Sequence, residues 1–104
     1  MDKTLSLLGL ARRAGRTTLG FDAVCSSAVK NESRLILTAS DVSEGTMRKL
    51  RNHLSECEIN IREIPYSQEQ INAAIGKPVR IISINDSGFA RKLIELLDNG
   101  NGEE

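Results

Sequence analysis

A chain of 104 residues and 11.4 kDa is long enough to bury one core and too short for two. Fourteen Lys and Arg balance fourteen Asp and Glu, Trp is absent, and the aromatics are only Phe21, Tyr66 and Phe89; this argues against a uniformly basic nucleic-acid coat and against single-strand binding by base stacking. One histidine and two distant cysteines without a CxxC pair supply no zinc ligand set, and no run reads as a signal peptide or a membrane span.

The expectation is therefore a cytoplasmic protein without metal, cofactor or membrane partner. Cys25 and Cys57 are expected to be reduced thiols at apolar helical positions, and His53 is expected to be solvated. Charge is unevenly distributed. Asp98, Glu103 and Glu104 fall in the Gly- and Asn-rich run 98–104, which reads as a disordered acidic tail. Residues 1–97, read as one domain, then carry about +3. The first sixteen residues are the most skewed, with Lys3, Arg12, Arg13 and Arg16 against Asp2.

Leu5, Leu8 and Ala11 recur at helical spacing, and Gly15 supplies a residue tolerant of positive φ, so a helix is predicted from Lys3 to Ala14. Arg12 and Arg13 fall in its last turn, where they complement the negative end of the helix dipole. Thr17–Leu19 reads as a short strand, and Phe21, Val24, Cys25 and Ala28 mark a second helix ending near Lys30. Arg34–Ala39 is apolar without alternation, the pattern of a central strand covered on both faces.

Ser40 and Asp41 then read as the cap of a third helix, with Glu44 completing a capping box and Met47, Leu50, Leu54 and Cys57 forming its buried stripe. Arg48, Lys49 and Arg51 face away from that stripe. Glu58–Ile64 alternates as a strand, Ser67–Gln70 offers a capping box for a short helix to Ile75, and Gly76–Pro78 is a loop. Val79–Ile84 is a further strand. Asp86 caps a last helix whose buried side is Phe89, Leu93, Ile94, Leu96 and Leu97. This alternation predicts an α/β fold, a three-layer α/β/α sandwich with a mixed sheet of about four strands.

No nucleophile with its base, paired carboxylates or metal cluster stands out, so neither catalysis nor a small-molecule substrate is expected. Gly76-Lys77 resembles the end of a phosphate loop, but the upstream glycine is missing and Pro78 replaces the Ser or Thr. Asp41 and Asp86 each follow a strand, where sites lie in open α/β sheets, yet helix capping accounts for both. What remains is Gly20, which opens the second helix and leaves its first N–H groups and positive dipole end beside Arg16.

Several segments together resemble the kink-turn RNA-binding ribosomal protein family, the L-seven-Ae and L-thirty-e group, and its small bacterial YlxQ-like branch. They are Leu7–Arg16, Gly20 at a helix start, Arg34–Asp41, Ala73–Lys77 and Asp86–Leu93, in the family's order across nearly the whole folded chain. The resemblance implies an α/β/α sandwich that grips sharply bent RNA, and the expectation is a monomer that acts on structured RNA, ribosomal RNA or the ribosome. It implies phosphate contacts from Arg13 and Arg16, close backbone approach at Gly20 and Phe21, base-edge contacts from Asp22 and Ser26, and packing of Lys77, Pro78 and Val79 on an extruded nucleotide.

The chain departs from the family motif just after Gly20. Asp22 replaces an Asn, Ala23 a Glu and Ser26 a Lys. Aspartate accepts but does not donate as an amide does, alanine does neither, and serine lacks the cationic phosphate contact. Each lost bidentate base contact is worth about 1–3 kcal/mol, so weaker readout of a kink-turn is expected. An alternative reading follows from Ala23 and Ser26: a protein-interaction or ribosome-associated module on the same fold.

Overall fold

The computed structural model describes residues 2–99. Five helices and four strands follow one another as α1 (Lys3–Arg13), β1 (Thr17–Leu19), α2 (Phe21–Val29), β2 (Leu35–Thr38), α3 (Glu44–His53), β3 (Ile61–Glu63), α4 (Gln68–Ile75), β4 (Ile81–Ile84) and α5 (Ser87–Asp98). The strands form one mixed sheet in the order β1-β4-β2-β3. β4 runs antiparallel to both β1 and β2, while β2 and β3 are parallel. The two central strands are buried along their whole length, as their unbroken apolar sequences require.

Side chains alternate across those strands and so divide the core in two. Leu35, Leu37, Ile82 and Ile84 meet Leu5, Leu8, Ile71, Ile75 and Leu93, which places α1, α4 and α5 on one face. Ile36 and Ile81 meet Val24, Cys25, Ala28, Leu50 and Leu54, which places α2 and α3 on the other. The result is the predicted three-layer sandwich. Leu50 is the fully buried residue of α3, so truncating it removes that helix's anchor at a cost of about 2–5 kcal/mol.

Most element ends follow the expected chemistry. Asp2 accepts the Leu5 N–H at 2.9 Å, Ser67 and Gln70 form a reciprocal capping box, and Asp86 accepts the Phe89 N–H at 2.9 Å. Gly15 adopts φ 73° directly after α1. Tyr66 donates from its hydroxyl to Asp2, tying the start of α1 to the segment before α4.

Several boundaries differ from the sequence reading. Asp41 does not cap α3; Ser43 does, accepting the Thr46 N–H at 3.1 Å. The carboxylate of Asp41 instead accepts the Gln68 N–H at 3.1 Å, a contact between segments 27 residues apart. β3 is confined to Ile61–Glu63, and Cys57 lies past the end of α3 rather than on it. Asp98 belongs to α5 and pairs with Arg62 at 2.7 Å, because Leu93 and Leu97 keep that helix's last turns on the core. The rest of the acidic tail, residues 100–104, lies outside the described residues.

Beneath α2 the core turns polar. Asn85 accepts from Ser27 Oγ at 3.1 Å and from Ser83 Oγ at 2.6 Å, and it donates to Thr18 Oγ1 at 2.7 Å. Ser83 also lies 2.6 Å from Ser33 Oγ, and the Asn85 N–H donates to the Arg16 carbonyl at 2.8 Å. Directional bonds of this kind fix orientation in a way that apolar contact does not. They hold α2 in one rotation on β1 and β4.

Candidate functional site

Gly20 is the residue that turns β1 into α2. Its φ of 94° and ψ of 157° fall in a backbone region used essentially by glycine. Nothing lies within 4 Å of where a Cβ would stand, so the requirement is conformational rather than steric. The Gly20 N–H donates to the Ile81 carbonyl at 2.9 Å, which locks the turn to the start of β4. No side chain caps α2, so its first N–H groups and partial positive charge face outward.

That helix start lies beside the loop from Gly76 to Arg80. Gly20, Phe21, Pro78, Val79 and Ile81 line one open groove of about 520 Å³, with Val42, Ser43 and Thr46 on its far wall. The loop is held from below. Gln68 Nε2 donates to the Pro78 carbonyl at 2.8 Å, the Val79 N–H donates to the Lys77 carbonyl at 3.0 Å, and Arg80 Nε lies 3.4 Å from Asp41 Oδ1. Lys77 and Pro78 are exposed and Val79 is half-buried. Asp41 and Arg80 line the groove as well, so it combines apolar walls, a helix N-terminus and one ion pair, which suits a flat, partly polar group whose anionic end meets the helix start.

The outward face of α2 presents Asp22, Ala23 and Ser26, all exposed. Phe21 is turned the other way. Its ring meets His53 edge-on at a centroid distance of 5.3 Å, and His53 Nδ1 donates to the Lys49 carbonyl at 2.9 Å. Phe21 thus fastens the first turn of α2 to the last turn of α3, and His53, exposed as expected, takes part in that contact.

Arg13 and Arg16 are not brought to this groove. Arg16 precedes β1 and Gly20 follows it, so the strand separates them by roughly 13 Å of extended chain. Arg16 is exposed at the Asn85 end of the sheet, opposite the Ile81 end where Gly20 sits. Arg13 lies over the α1–α4 seam with Gly9 and Ala74. Sequence order placed both arginines near Gly20; an antiparallel edge strand carried them away.

Asp41 and Arg80 also line the groove as an ion pair, a juxtaposition that the sequence does not show. By sequence Asp41 reads as a cap, and Arg80 carries no signal of its partner. The one available clue was that Asp41 stands two residues before Ser43, itself a good N-cap, which left the aspartate without a helix to serve.

Neither cysteine forms a disulfide. Burial, followed by the nearby charge of Asp22, pushes the Cys25 thiol up from its ordinary value, which favours the unreactive protonated form. Among the described residues no group of His, Cys, Asp and Glu could hold a metal ion, and no helix is long and apolar enough to cross a membrane.

Comparison with known proteins covers nearly the whole chain. The model of the ribosomal protein L7Ae/L30e/S12e/Gadd45 family matches residues 2–94. The RNA-binding protein YlxQ of Enterococcus faecium is 33% identical over 96 residues, 92% of each chain. Its namesake in Bacillus subtilis strain 168 is 32% identical over 97 residues, covering 88% of this chain and 92% of the relative. A Bacillus halodurans C protein of unknown function superposes with a TM-score of 0.84 at 34% identity, covering 94% of this chain and 99% of its own. The Giardia lamblia 15.5kD RNA binding protein superposes with a TM-score of 0.70 over 91% of this chain and 84% of its own, and at 13% identity it speaks to the fold alone. With the family model matched from the cap of α1 into α5, and relatives one-third identical along almost their full length, the chain belongs to the L7Ae/L30e/S12e/Gadd45 ribosomal protein family.

Proposed function

We propose that this protein is a non-catalytic RNA-binding protein that grips a sharply bent, kink-turn-like RNA at the start of α2. One observation carries the reading: two segments more than fifty residues apart, the uncapped Gly20 turn and the Pro78–Val79 stretch that follows Lys77, line one groove. The two relatives named RNA-binding protein YlxQ support it. In this reading the α2 N–H groups meet backbone phosphate, Asp22 and Ser26 meet base edges, and an extruded base rests on Pro78 and Val79 with Lys77 at its phosphate. Phe21 lets the backbone approach the RNA together with Gly20, while its ring braces α2 against α3. Arg13 and Arg16 serve as outlying phosphate contacts.

The proposal includes action as a cytoplasmic monomer, with the folded unit reaching Asp98 and with ribosomal RNA or the ribosome as the setting. A fluorescence titration of a kink-turn RNA and a straight duplex at two salt concentrations tests it. Tighter binding of the kink-turn at both is expected. Equal affinity for the two RNAs removes the kink-turn assignment.

A second reading rests on Val29, 70% exposed beside Ser26 and Ala23 on α2, which gives this face a weakly polar character suited to a protein partner. Partner capture that survives nuclease treatment favours it. Loss of every partner on that treatment returns the surface to RNA.

A further inference from the structure

The outward face of α2 is poor in positive charge. Asp22, Ala23 and Ser26 are exposed there, and the first cation is Lys30, past the far end of the helix. α3 lies in the same layer and is fastened to the first turn of α2 through Phe21 and His53. Its solvent side is cationic. Arg48 and Arg51, three residues apart and so on one face, are both exposed.

Neither arginine pairs with a carboxylate among the described residues, whereas Arg62, Arg80 and Lys92 all do. Arg48 and Arg51 also line a second groove, of about 560 Å³, which meets the first at Val42, a wall of both. The Gly20 groove is thus continuous, across Val42, with a groove that holds two guanidinium groups free of carboxylate partners among the described residues. Glu44 and Glu63 border the same groove. They repel a phosphate but can accept from a hydroxyl, a mixture compatible with a backbone that carries 2′-hydroxyls beside its phosphates.

We propose that Arg48 and Arg51 form a second, phosphate-binding strip that continues the RNA footprint from α2 onto α3, replacing on the neighbouring helix the positive charge that α2 lacks. This rests on the RNA-binding reading above and adds to it a path for the RNA beyond the kink. The strip reads no sequence. It contributes affinity and salt dependence, while kink preference stays with the Gly20 groove.

The test is a salt titration of the full chain against a kink-turn RNA with duplex on both sides, comparing wild type, R48Q/R51Q, R48K/R51K and R91Q/K92Q. Gln retains helix propensity close to that of Arg, and matched thermal melts establish that each variant is folded. Two lost phosphate contacts should make the slope of log K against log salt shallower by about 1.8 for R48Q/R51Q. R48K/R51K should keep the wild-type slope. R91Q/K92Q, which removes the same charge from α5 in the opposite layer, should keep it too.

An unchanged slope in R48Q/R51Q overturns the strip, and so does an equal change in R91Q/K92Q, which reports a general field rather than a contact. A wild-type chain that binds without kink preference, yet shows the slope change, overturns only the reading of the Gly20 groove. A wild-type chain without RNA affinity overturns both.

Discussion

α5 begins at Asp86, whose carboxylate accepts the Phe89 N–H at 2.9 Å, whereas α2 begins at Gly20, where no side chain caps the helix. Asp2, Ser43 and Ser67 treat α1, α3 and α4 as Asp86 treats α5. Every helix start must satisfy N–H groups that have no partner within the helix. Four do so internally with a side chain worth about 1 kcal/mol each. The fifth leaves that need open at the mouth of a groove, which is what a surface built to receive an anion requires.

Gly20→Ala breaks this contrast most severely. The Gly20 backbone region costs a residue with a Cβ about 1–3 kcal/mol, so urea unfolding should show a loss of that size together with reduced RNA affinity. A fully stable variant would mean that the turn is not under conformational demand. Asp86→Ala is the matched experiment at the capped start. It should cost about 1 kcal/mol of stability and leave RNA affinity per folded molecule unchanged.

Ser26→Lys sharpens the comparison from the other side by restoring a cation on the open helix. The slope of log K against log salt should steepen by about 0.9 as one phosphate contact is added. A steeper slope with no gain in affinity at low salt would place the new ammonium away from the RNA. Arg16→Ala should have the smallest effect, because the β1 strand carries that residue away from the groove. A loss of affinity as large as that of Gly20→Ala would show that the RNA wraps around the β1 edge.

Much of the architecture was legible because it rests on local chemistry. The unbroken run at Arg34–Ala39 can only be covered on both faces, and Ser67 with Gln70 announces its helix through a four-residue pattern. The candidate site is legible in part: the family resemblance points to Gly20 and to Pro78 and Val79, which share one groove. What stayed hidden depends on register and crossing. Asp41 looks like a cap until its contacts with Gln68 and Arg80 are seen. Arg16 looks like a neighbour of Gly20 until β1 is found to run antiparallel to β4. The Asn85 network is equally silent, since Thr18, Ser27, Ser33 and Ser83 are unremarkable hydroxyls until the fold gathers them.

The position of β4 between β1 and β2 has a consequence for the protein's birth. Two strands encoded early in the chain, β1 and β2, pair with each other only through β4, which is encoded near its end. As the chain leaves the ribosome from its N-terminus, α2 and Gly20 emerge long before Ile81 and Asn85, which lock their turn and rotation. Such pairing over long sequence separations is slow, because loop closure precedes its reward. A nascent chain ending before Asn85 thus carries the residues of the groove without its shape.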